Sequence, residues 1–413
     1  MVVIREMTLE NAMALGAAQS FLPSWPLPVG GVFWIAVTLV LTGLAGEWCY
    51  RRLGFPRIVA YSATGMAIRL AGVEPMLRVD DSGLRVVLDL ALALLLFELG
   101  ARVDVRWLRR NPWLLASSVA EAGLSFVVVG SLLSWWGVSP PVALSVAAIA
   151  MAASPAIVSR VVSEFQSVGQ VTERLLLMTT LNSIYAILLV KLLTGWMHSA
   201  AGNPLLAISV PLYVLTGSLL VALLLAGGVE RLSRSMDVQS EAATVLLFGL
   251  ILLATALLQM LNLSTLLAPL LAGVVFRSRR LRPWVCPDHF SAAGSLLVVV
   301  LFVVSGMMLS PGQLLSGAVM AVVLLSGRFV AKLVGVLAFA RLSGLSLRQG
   351  VTLSLALTPL SIVAFVLATD LGLSFPTLRQ ELNSVLLGAV VLMELAGPLL
   401  VKWALERSAE IKS

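Results

Sequence analysis

The chain has 413 residues and a formal net charge of +7, with 59% hydrophobic and only 12% charged residues. Soluble proteins carry about 25% charged residues, so a water-soluble enzyme and a disordered chain are both excluded. The apolar runs are long and continuous rather than alternating, which excludes a β-barrel and predicts an all-α polytopic membrane protein.

Residues 1–28 form a mixed lead-in before the first long apolar run. Its apolar stretch is very short and is flanked by Glu6 and Glu10, so we do not interpret it as a signal peptide. One transmembrane domain is predicted over residues 29–405, and residues 406–413 are expected to form a cytoplasmic tail.

Thirteen apolar segments follow the lead-in, which predicts about 13 transmembrane helices. Segments two and nine are short for a membrane helix, which needs about 20 residues. The segment cores are residues 30–46, 57–73, 84–100, 112–133, 139–160, 172–195, 205–227, 241–259, 262–276, 290–309, 312–341, 348–369 and 381–404.

The distribution of basic residues tests this count, because Lys and Arg concentrate in short cytoplasmic loops. Along the chain, connectors poor in basic residues alternate with connectors rich in them. The poor ones, together with the N-terminal segment, hold only Arg5, Arg78, Arg85 and Arg379. The alternation is unbroken, so the positive charge indicates topology rather than nucleic-acid binding. It predicts a multi-pass protein with the N-terminus outside and the C-terminus in the cytoplasm. The alternate connectors hold Arg51, Arg52, Arg57, Arg102, Arg106, Arg109, Arg110, Arg160, Arg174, Arg231, Arg234, Arg277, Arg279, Arg280, Arg282, Arg341 and Arg348.

Segments five and twelve are interrupted by Ser154-Pro155 and Thr358-Pro359. Proline removes a backbone donor and clashes with the preceding turn, so each helix should break there. Two inverted six-helix repeats, about residues 29–195 and 241–405, are then joined by a linker helix at about 205–227. Matched broken helices that cross between inverted repeats are typical of a transporter's ion site. Two unrelated proline kinks are the alternative.

Few ionisable residues lie deep in the segments, where a charge costs about 2.5–3.5 kcal/mol and is therefore a functional candidate. Arg328 and Lys332 share one face of segment eleven, and two adjacent cations need a nearby anion. We expect Glu121 of segment four, the repeat partner of segment eleven, to pair with one of them. A wet cavity or an interfacial position is the alternative for Glu121. Weaker candidates, expected near helix ends or in structural roles at the interface, are Asp89, Lys191, Glu394, Glu47 and Glu98.

Nothing in the sequence indicates an enzyme, a cofactor or a metal site. HExxH and P-loop motifs are absent, and the chain has only two cysteines and two histidines. Broken helices do expose backbone carbonyls in the membrane. Together with hydroxyls such as Ser154 and Thr358, those carbonyls suit a hard monovalent cation.

Five stretches of the chain form an ordered set of motifs. They are Gly46-Glu47 with Arg52–Pro56, the LLLFELGARVD run at 94–104, Ala152–Ala156, Arg328 with Lys332–Gly335, and Leu357–Ser361. Together they resemble the sodium/proton exchanger family of the monovalent cation:proton antiporter superfamily. The resemblance covers nearly the whole chain. It implies an elevator-like antiporter, usually a homodimer, that exchanges Na⁺ or K⁺ for protons across the bacterial inner membrane.

The chain departs from this family at the acidic positions. Members usually carry an aspartate in helix six, where the corresponding pair here is Asn182-Ser183. Acidic residues are also often found near the two breaks, where Ser154 and Ser361 stand here. A serine hydroxyl does not titrate near neutral pH. Either another carboxylate, such as Glu121, carries the exchanged proton, or coupling is lost.

We therefore predict an antiporter with an atypical site. Two other hypotheses stay open: an uncoupled or anion-handling transporter on the same fold, and a membrane scaffold that transports nothing. The predicted ion-binding residues are Asn182, Ser183, Ser154, Thr358 and Ser361, the charge-balancing residues are Arg328, Lys332 and Glu121, and the helix breaks are Pro155 and Pro359.

Overall fold

The structure is a computed structural model that describes residues 31–72, 82–200, 206–236, 240–279, 288–308, 311–360 and 362–411. These residues form helices and connecting turns, with no strand among them. The all-α prediction is therefore confirmed. The lead-in at 1–28 and Ser361 lie outside the described residues.

Each of the thirteen predicted segments coincides with a helix or with a broken pair of helices. Eight of the described spans are individually long and apolar enough to cross a membrane. In chain order the helices are α1 (Gly31–Trp48), α2 (Arg57–Leu70), α3 (Ser82–Arg102), α4 (Val105–Arg110), α5 (Pro112–Trp135), α6 (Pro140–Ala150), α7 (Pro155–Glu164), α8 (Gln170–Ala200), α9 (Leu206–Ser235), α10 (Glu241–Met260), α11 (Leu267–Arg279), α12 (Asp288–Met307), α13 (Pro311–Ala340), α14 (Leu347–Ala356), α15 (Ile362–Ser374) and α16 (Arg379–Arg407).

The described residues beyond α16, up to residue 411, are docked on the start of another helix. The Glu410 carboxylate accepts hydrogen bonds from the backbone N–H groups of Val171 at 2.8 Å and Thr172 at 2.7 Å. Both groups belong to the first turn of α8, where free N–H groups favour a negative charge. The end of the described chain is therefore fixed to the start of α8.

The helices pack into two bundles. We call α5–α8 with α13–α16 the core bundle, and α1–α3 with α10–α12 the scaffold bundle. Helix α9 contacts α8 of the core bundle on one side and α10 and α11 of the scaffold bundle on the other. The core bundle thus combines segments four to six with segments eleven to thirteen.

Two glycine pairs in the scaffold bundle support the predicted repeat. Gly65 and Gly306 lie where α2 crosses α12, and Gly273 meets Gly100 where α11 crosses α3, each without room for a side chain. A Cβ at Gly65 would lie 2.9 Å from the Val303 carbonyl carbon, and a Cβ at Gly273 would lie 2.9 Å from that of Gly100. Small residues let membrane helices approach closely. Helices α2 and α11 are repeat partners, as are α3 and α12. The crossing of α2 with α12 is therefore the repeat equivalent of the crossing of α11 with α3.

Helices α5 and α13, which are also repeat partners, pack closely through Gly335. A Cβ added to Gly335 would lie 2.6 Å from the backbone nitrogen of Glu121 and 2.7 Å from its Cβ. Both atoms belong to Glu121 and are fixed by the backbone of α5, so no side-chain rotation can move them away. Glycine at this position therefore sets the distance between Glu121 and the residues of α13.

We expect Gly335→Ala to separate α5 from α13 and to displace Glu121. Overpacking of this kind costs about 1–3 kcal/mol, which a thermal unfolding scan of the purified protein would detect. Gly123→Ala is the matched control, because a Cβ at Gly123 on α5 meets nothing within 4 Å. Equal unfolding temperatures for the two variants would contradict the close contact.

Candidate functional site

The two proline breaks face each other inside the core bundle. The chain leaves α6 and enters α7 at Pro155, and the break between α14 and α15 contains Pro359. The Ser154 N–H donates to the Pro359 carbonyl oxygen at 3.0 Å, so the two breaks touch. Each break leaves backbone groups without helical partners. The crossing therefore gathers free backbone polar groups at one buried point.

Arg328 of α13 binds the carbonyl ends of the half-helices on both sides of the crossing. Its side chain is fully buried. Its Nε donates to the Ala150 carbonyl oxygen at 2.7 Å, and its terminal nitrogens donate to the carbonyl oxygens of Ala152 and Thr358. Helix C-termini carry a partial negative charge, which a cation stabilises. Arg328 therefore holds the two breaks together.

Glu121 of α5 lies beside the first break, where it contacts two polar side chains. Lys332 Nζ lies 2.6 Å from Glu121 Oε2, and both side chains have 0% exposure. Asn182 of α8 donates its amide N–H to Glu121 Oε1. Lys332 Nζ also donates to the Met151 carbonyl oxygen at 3.4 Å. We call Glu121, Lys332, Asn182 and the Met151 carbonyl the charge cluster.

The structure distinguishes the two cations that the sequence offered as partners of Glu121. Lys332 makes the contact, whereas Arg328 turns to the carbonyls of the breaks. The backbone of Glu121 packs on Gly335, about one turn from Lys332 and about two turns from Arg328. The wet or interfacial position considered for Glu121 is wrong, since its exposure is 0%.

The site holds more positive than negative formal charge. Glu121 supplies one carboxylate against the two cations Lys332 and Arg328, and all three side chains are fully buried. The remaining positive charge lies on Arg328, among carbonyl oxygens whose dipoles offset it. Removing one member of a buried ion pair costs about 3–5 kcal/mol. Charges buried in this way in a membrane protein point to a functional site.

The described hydroxyl groups among those predicted to bind the ion, which are those of Ser154, Thr358 and Ser183, are each engaged with the backbone of the local helix. A hydroxyl keeps lone pairs after one such bond, so a part in ion binding stays a prediction. Ser361 lies outside the described residues. The observed partners are Ile157 N for Ser154 at 3.2 Å, Ser354 O for Thr358 at 3.0 Å and Thr179 O for Ser183 at 2.9 Å.

Sequence reasoning missed the Met151 carbonyl. A proline at position i leaves the carbonyl of residue i−4 without its helical donor, and Met151 stands four residues before Pro155. This four-residue spacing is the sequence signal that could have identified the Met151 carbonyl. Asn182 was foreseen as a ligand, and its Oδ1 atom is buried with no hydrogen-bond partner among the described residues. Both oxygens are suitable ligands for a cation.

Among the weaker candidates, Glu394 differs from the expectation. It was expected near a helix end, but its exposure is 0% and it lies well inside α16. The reason is packing, since α16 contacts α2 of the scaffold bundle and Ser62 lies against Glu394 there. The other four pair at or near the surface: Lys191 with Asp370 at 3.5 Å, Asp89 with Gln259 at 2.6 Å, Glu47 with Arg51 at 2.5 Å and Glu98 with Arg102 at 2.5 Å.

A cavity of about 960 Å³ lies between the two bundles at their arginine-rich ends. It extends along α8 as far as Leu177, about one and a half turns before Asn182. The cavity therefore leads from one surface toward the charge cluster. Its charged lining residues are Arg102, Asp104, Arg106, Arg110, Glu173 and Arg277.

Crossed broken helices inside an all-helical membrane bundle define an antiporter-type fold. The sequence profile described as "Sodium/hydrogen exchanger, transmembrane" matches residues 36–407. The chain therefore belongs to the sodium/hydrogen exchanger family, as its motifs indicated.

Solved structures support the same fold. The sodium proton antiporter MjNhaP1 from Methanocaldococcus jannaschii at pH 8 superposes with a TM-score of 0.64, at 19% identity, over 92% of this chain and 96% of that chain. An electron-microscopy map of the same antiporter gives a TM-score of 0.66 at 17% identity, over 91% of this chain and 95% of that chain.

Curated relatives include the glutathione-regulated potassium-efflux system protein KefC of two Salmonella species. The Salmonella arizonae protein is 27% identical over 315 residues, which are 72% of this chain and 48% of that protein. The Salmonella typhi protein is 28% identical, with the same coverage. The chain thus spans about half the length of the curated relatives it matches.

Proposed function

We propose that the protein exchanges a monovalent cation for a proton across the bacterial inner membrane. The observation that carries this proposal is the charge cluster, in which a fully buried carboxylate and ammonium meet beside two crossed helix breaks. Family membership supports the same activity. The positive-inside pattern supports an outside N-terminus and a cytoplasmic C-terminus.

The Lys332 ammonium occupies a position that suits an alkali cation. It lies 2.6 Å from Glu121 Oε2 and 3.4 Å from the Met151 carbonyl oxygen, and Asn182 Oδ1 offers a third oxygen from the same cluster. Carboxylate and carbonyl oxygens are the ligands that hard cations prefer. An incoming Na⁺ or K⁺ would therefore compete with Lys332 for the same oxygens.

This competition couples cation binding to proton release. When a cation binds Glu121, the charge in the cluster stays constant only if Lys332 gives up one proton to water. A second uncompensated positive charge in a buried site is unfavourable, so the proton leaves. When the cation departs, Lys332 takes up a proton and pairs with Glu121 again. One cation is then exchanged for one proton.

The cluster explains how exchange works without the usual acid of helix six. The Ser183 hydroxyl does not titrate near neutral pH, so it cannot release and take up the exchanged proton. The Glu121–Lys332 pair supplies both the carboxylate for the cation and the titrating group for the proton. Asn182, next to Ser183, keeps its contact with the carboxylate.

Movement of the core bundle against the scaffold bundle would expose the cluster to each side in turn. The cavity between the bundles supports such an elevator-like movement, because it gives access from the arginine-rich side. We also propose a homodimer. This proposal rests on family membership.

One observation favours an anion-handling transporter instead. Four arginines line the cavity, Arg102, Arg106, Arg110 and Arg277, against only Asp104 and Glu173. Glutamate and aspartate contacts engage part of this charge, since Arg102 pairs with Glu98 and Arg277 pairs with Asp104. The buried carboxylate at the end of the path is the reason why we favour a cation.

Purified protein in proteoliposomes tests the proposal. A pH-sensitive dye inside the vesicles should report proton movement when a Na⁺ or K⁺ gradient is imposed, and the two ions should be compared. If neither a Na⁺ gradient nor a K⁺ gradient moves protons at any pH from mildly acidic to mildly alkaline, the proposed exchange is overturned. Flux of an organic anion under those conditions would favour the alternative.

A further inference from the structure

Glu394 is a second buried carboxylate, outside the charge cluster. It belongs to α16 of the core bundle and faces the scaffold bundle. Its Oε1 lies 3.5 Å from the Ser62 hydroxyl of α2, and Ser305 of α12 is its other hydroxyl neighbour. Its Oε2 is buried with no hydrogen-bond partner among the described residues. A carboxyl group therefore lies at the boundary between the two bundles.

No described cation acts on Glu394, and the described side chains that hydrogen-bond to it are those of Ser62 and Ser305. The described side chains of α12 include no titratable group. The titratable groups on the helices around α16 have other partners or lie elsewhere. They are Arg57, Tyr61 and Arg69 of α2, Arg160 and Glu164 of α7, Arg328 and Lys332 of α13, Arg348 of α14, Asp370 of α15, and Arg379, Glu381, Lys402, Glu406 and Arg407 of α16. Among them, Arg57 pairs with Glu47 and Glu164, Arg69 donates to the Met307 carbonyl, Arg160 donates to Ser295 and Lys402 pairs with Glu406.

A buried carboxylate without a cation binds a proton rather than remaining charged, because burying an isolated ion costs several kcal/mol. The neutral acid has one O–H donor and retains acceptor capacity. Both properties fit a site whose described hydrogen-bond partners are serine hydroxyls, which donate and accept. In the docked arrangement of the bundles, Glu394 is therefore a carboxylic acid.

Glu394 is also close to the ion path. Gly397, three residues further along α16, packs on the second break, where an added Cβ would lie 2.9 Å from Pro359 Cβ. Three residues of helix span about 4.5 Å. Glu394 therefore stands about one turn from the crossing, on the surface along which the bundles meet.

We propose that Glu394 is a second proton-binding residue of the exchanger. It holds a proton while α16 is docked on Ser62 and Ser305, and it releases that proton to water when the core bundle moves away from the scaffold bundle. The O–H bond breaks on release, and the carboxylate that remains is stabilised by water. Redocking requires that Glu394 take up a proton again. Its place in the transport cycle rests on the proposed function, whereas its protonation in the docked arrangement does not.

Infrared difference spectroscopy of the purified full chain tests the protonation directly and needs no transport. The wild type should show the C=O band of a protonated carboxyl group at neutral pH, and Glu394→Gln should lose that band. Glu406→Gln is the matched control, since Glu406 is a surface carboxylate on the same helix. If Glu394→Gln does not fold, Ser62→Ala should move the band by removing a hydrogen-bond partner. An unchanged band in Glu394→Gln, or in Ser62→Ala when only that variant folds, would overturn the proposal.

The pH profile of exchange in proteoliposomes tests the part of Glu394 in the cycle. Glutamine keeps the shape of the neutral acid but cannot release a proton, so the profile of Glu394→Gln should shift from that of the wild type. An equal loss of rate at every pH would indicate a structural role and overturn this part. The two proposals fail differently. A wild type without exchange contradicts the proposed function, while a band that persists in Glu394→Gln contradicts the proton site.

Discussion

The Glu121→Gln variant is expected to lose proton-coupled cation exchange, with a fall of at least about 100-fold in rate. Glutamine keeps the shape and one oxygen of Glu121 but carries no charge. A buried ligand contact to a charged group is worth about 3 kcal/mol, which corresponds to about two orders of magnitude. The measurement is dye-reported proton flux driven by Na⁺ or K⁺ in proteoliposomes. Wild-type flux in Glu121→Gln would exclude Glu121 as the coupling residue.

The same variant should also be less stable, because Lys332 loses its partner. Breaking a buried ion pair from one side costs about 3–5 kcal/mol. Removing both charges, in Glu121→Gln with Lys332→Gln, should restore most of the unfolding temperature without restoring exchange. Glu406→Gln serves as the control, since an exposed pair such as Glu406–Lys402 contributes only about 0–1 kcal/mol. Exchange in the double variant would contradict the competition between the cation and Lys332.

The Arg328→Ala variant is expected to destabilise the crossing of the broken helices. It removes the donors of the Ala150, Ala152 and Thr358 carbonyl oxygens at a fully buried position. Each unsatisfied buried group costs about 1–3 kcal/mol, so a total above about 3 kcal/mol is expected. Thermal unfolding of the purified protein measures this loss. Arg51→Ala, at a side chain that is 76% exposed, is the surface control.

Arg328→Lys should fail to restore this stability. A single ammonium cannot reach carbonyls on both half-helices, whereas the guanidinium carries five donors in a rigid plane. Adding Glu121→Gln should not rescue Arg328→Ala either, because Arg328 binds carbonyls rather than Glu121. A fully stable Arg328→Lys variant would show that charge alone is sufficient at the crossing.

In the mechanism that we propose, a buried lysine–glutamate pair lets a family member exchange protons with only hydroxyls and an amide at the usual acidic positions. The pair stands on α5 and α13, one helix away from Asn182-Ser183 on α8. The proton then comes from the amine that is displaced and not from an acid of helix six. Glu121 and Lys332, rather than Ser183, are therefore the residues whose substitution should reverse or abolish coupling.

The helices and their breaks were determined by local features of the sequence. An apolar run of about 20 residues forms a helix in a bilayer because all its backbone groups must bond internally. Pro155 and Pro359 remove backbone N–H donors at the two breaks, whereas Pro398 lies within the continuous helix α16, so a proline indicates a break without enforcing one. These effects act within a few residues, so they were predictable without any knowledge of packing.

The partners of the buried charges were decided by the tertiary structure. Arg328 and Lys332 are one turn apart on the same face of α13, and the sequence alone gives each an equal claim on Glu121. The close approach of α5 at Gly335 places Glu121 next to Lys332, so Lys332 forms the ion pair and Arg328 binds the carbonyls of the breaks. In the same way, only the docking of α16 on α2 and α12 makes Glu394 a buried acid. Burial and pairing depend on which helices meet, and that depends on contacts between residues far apart in the chain.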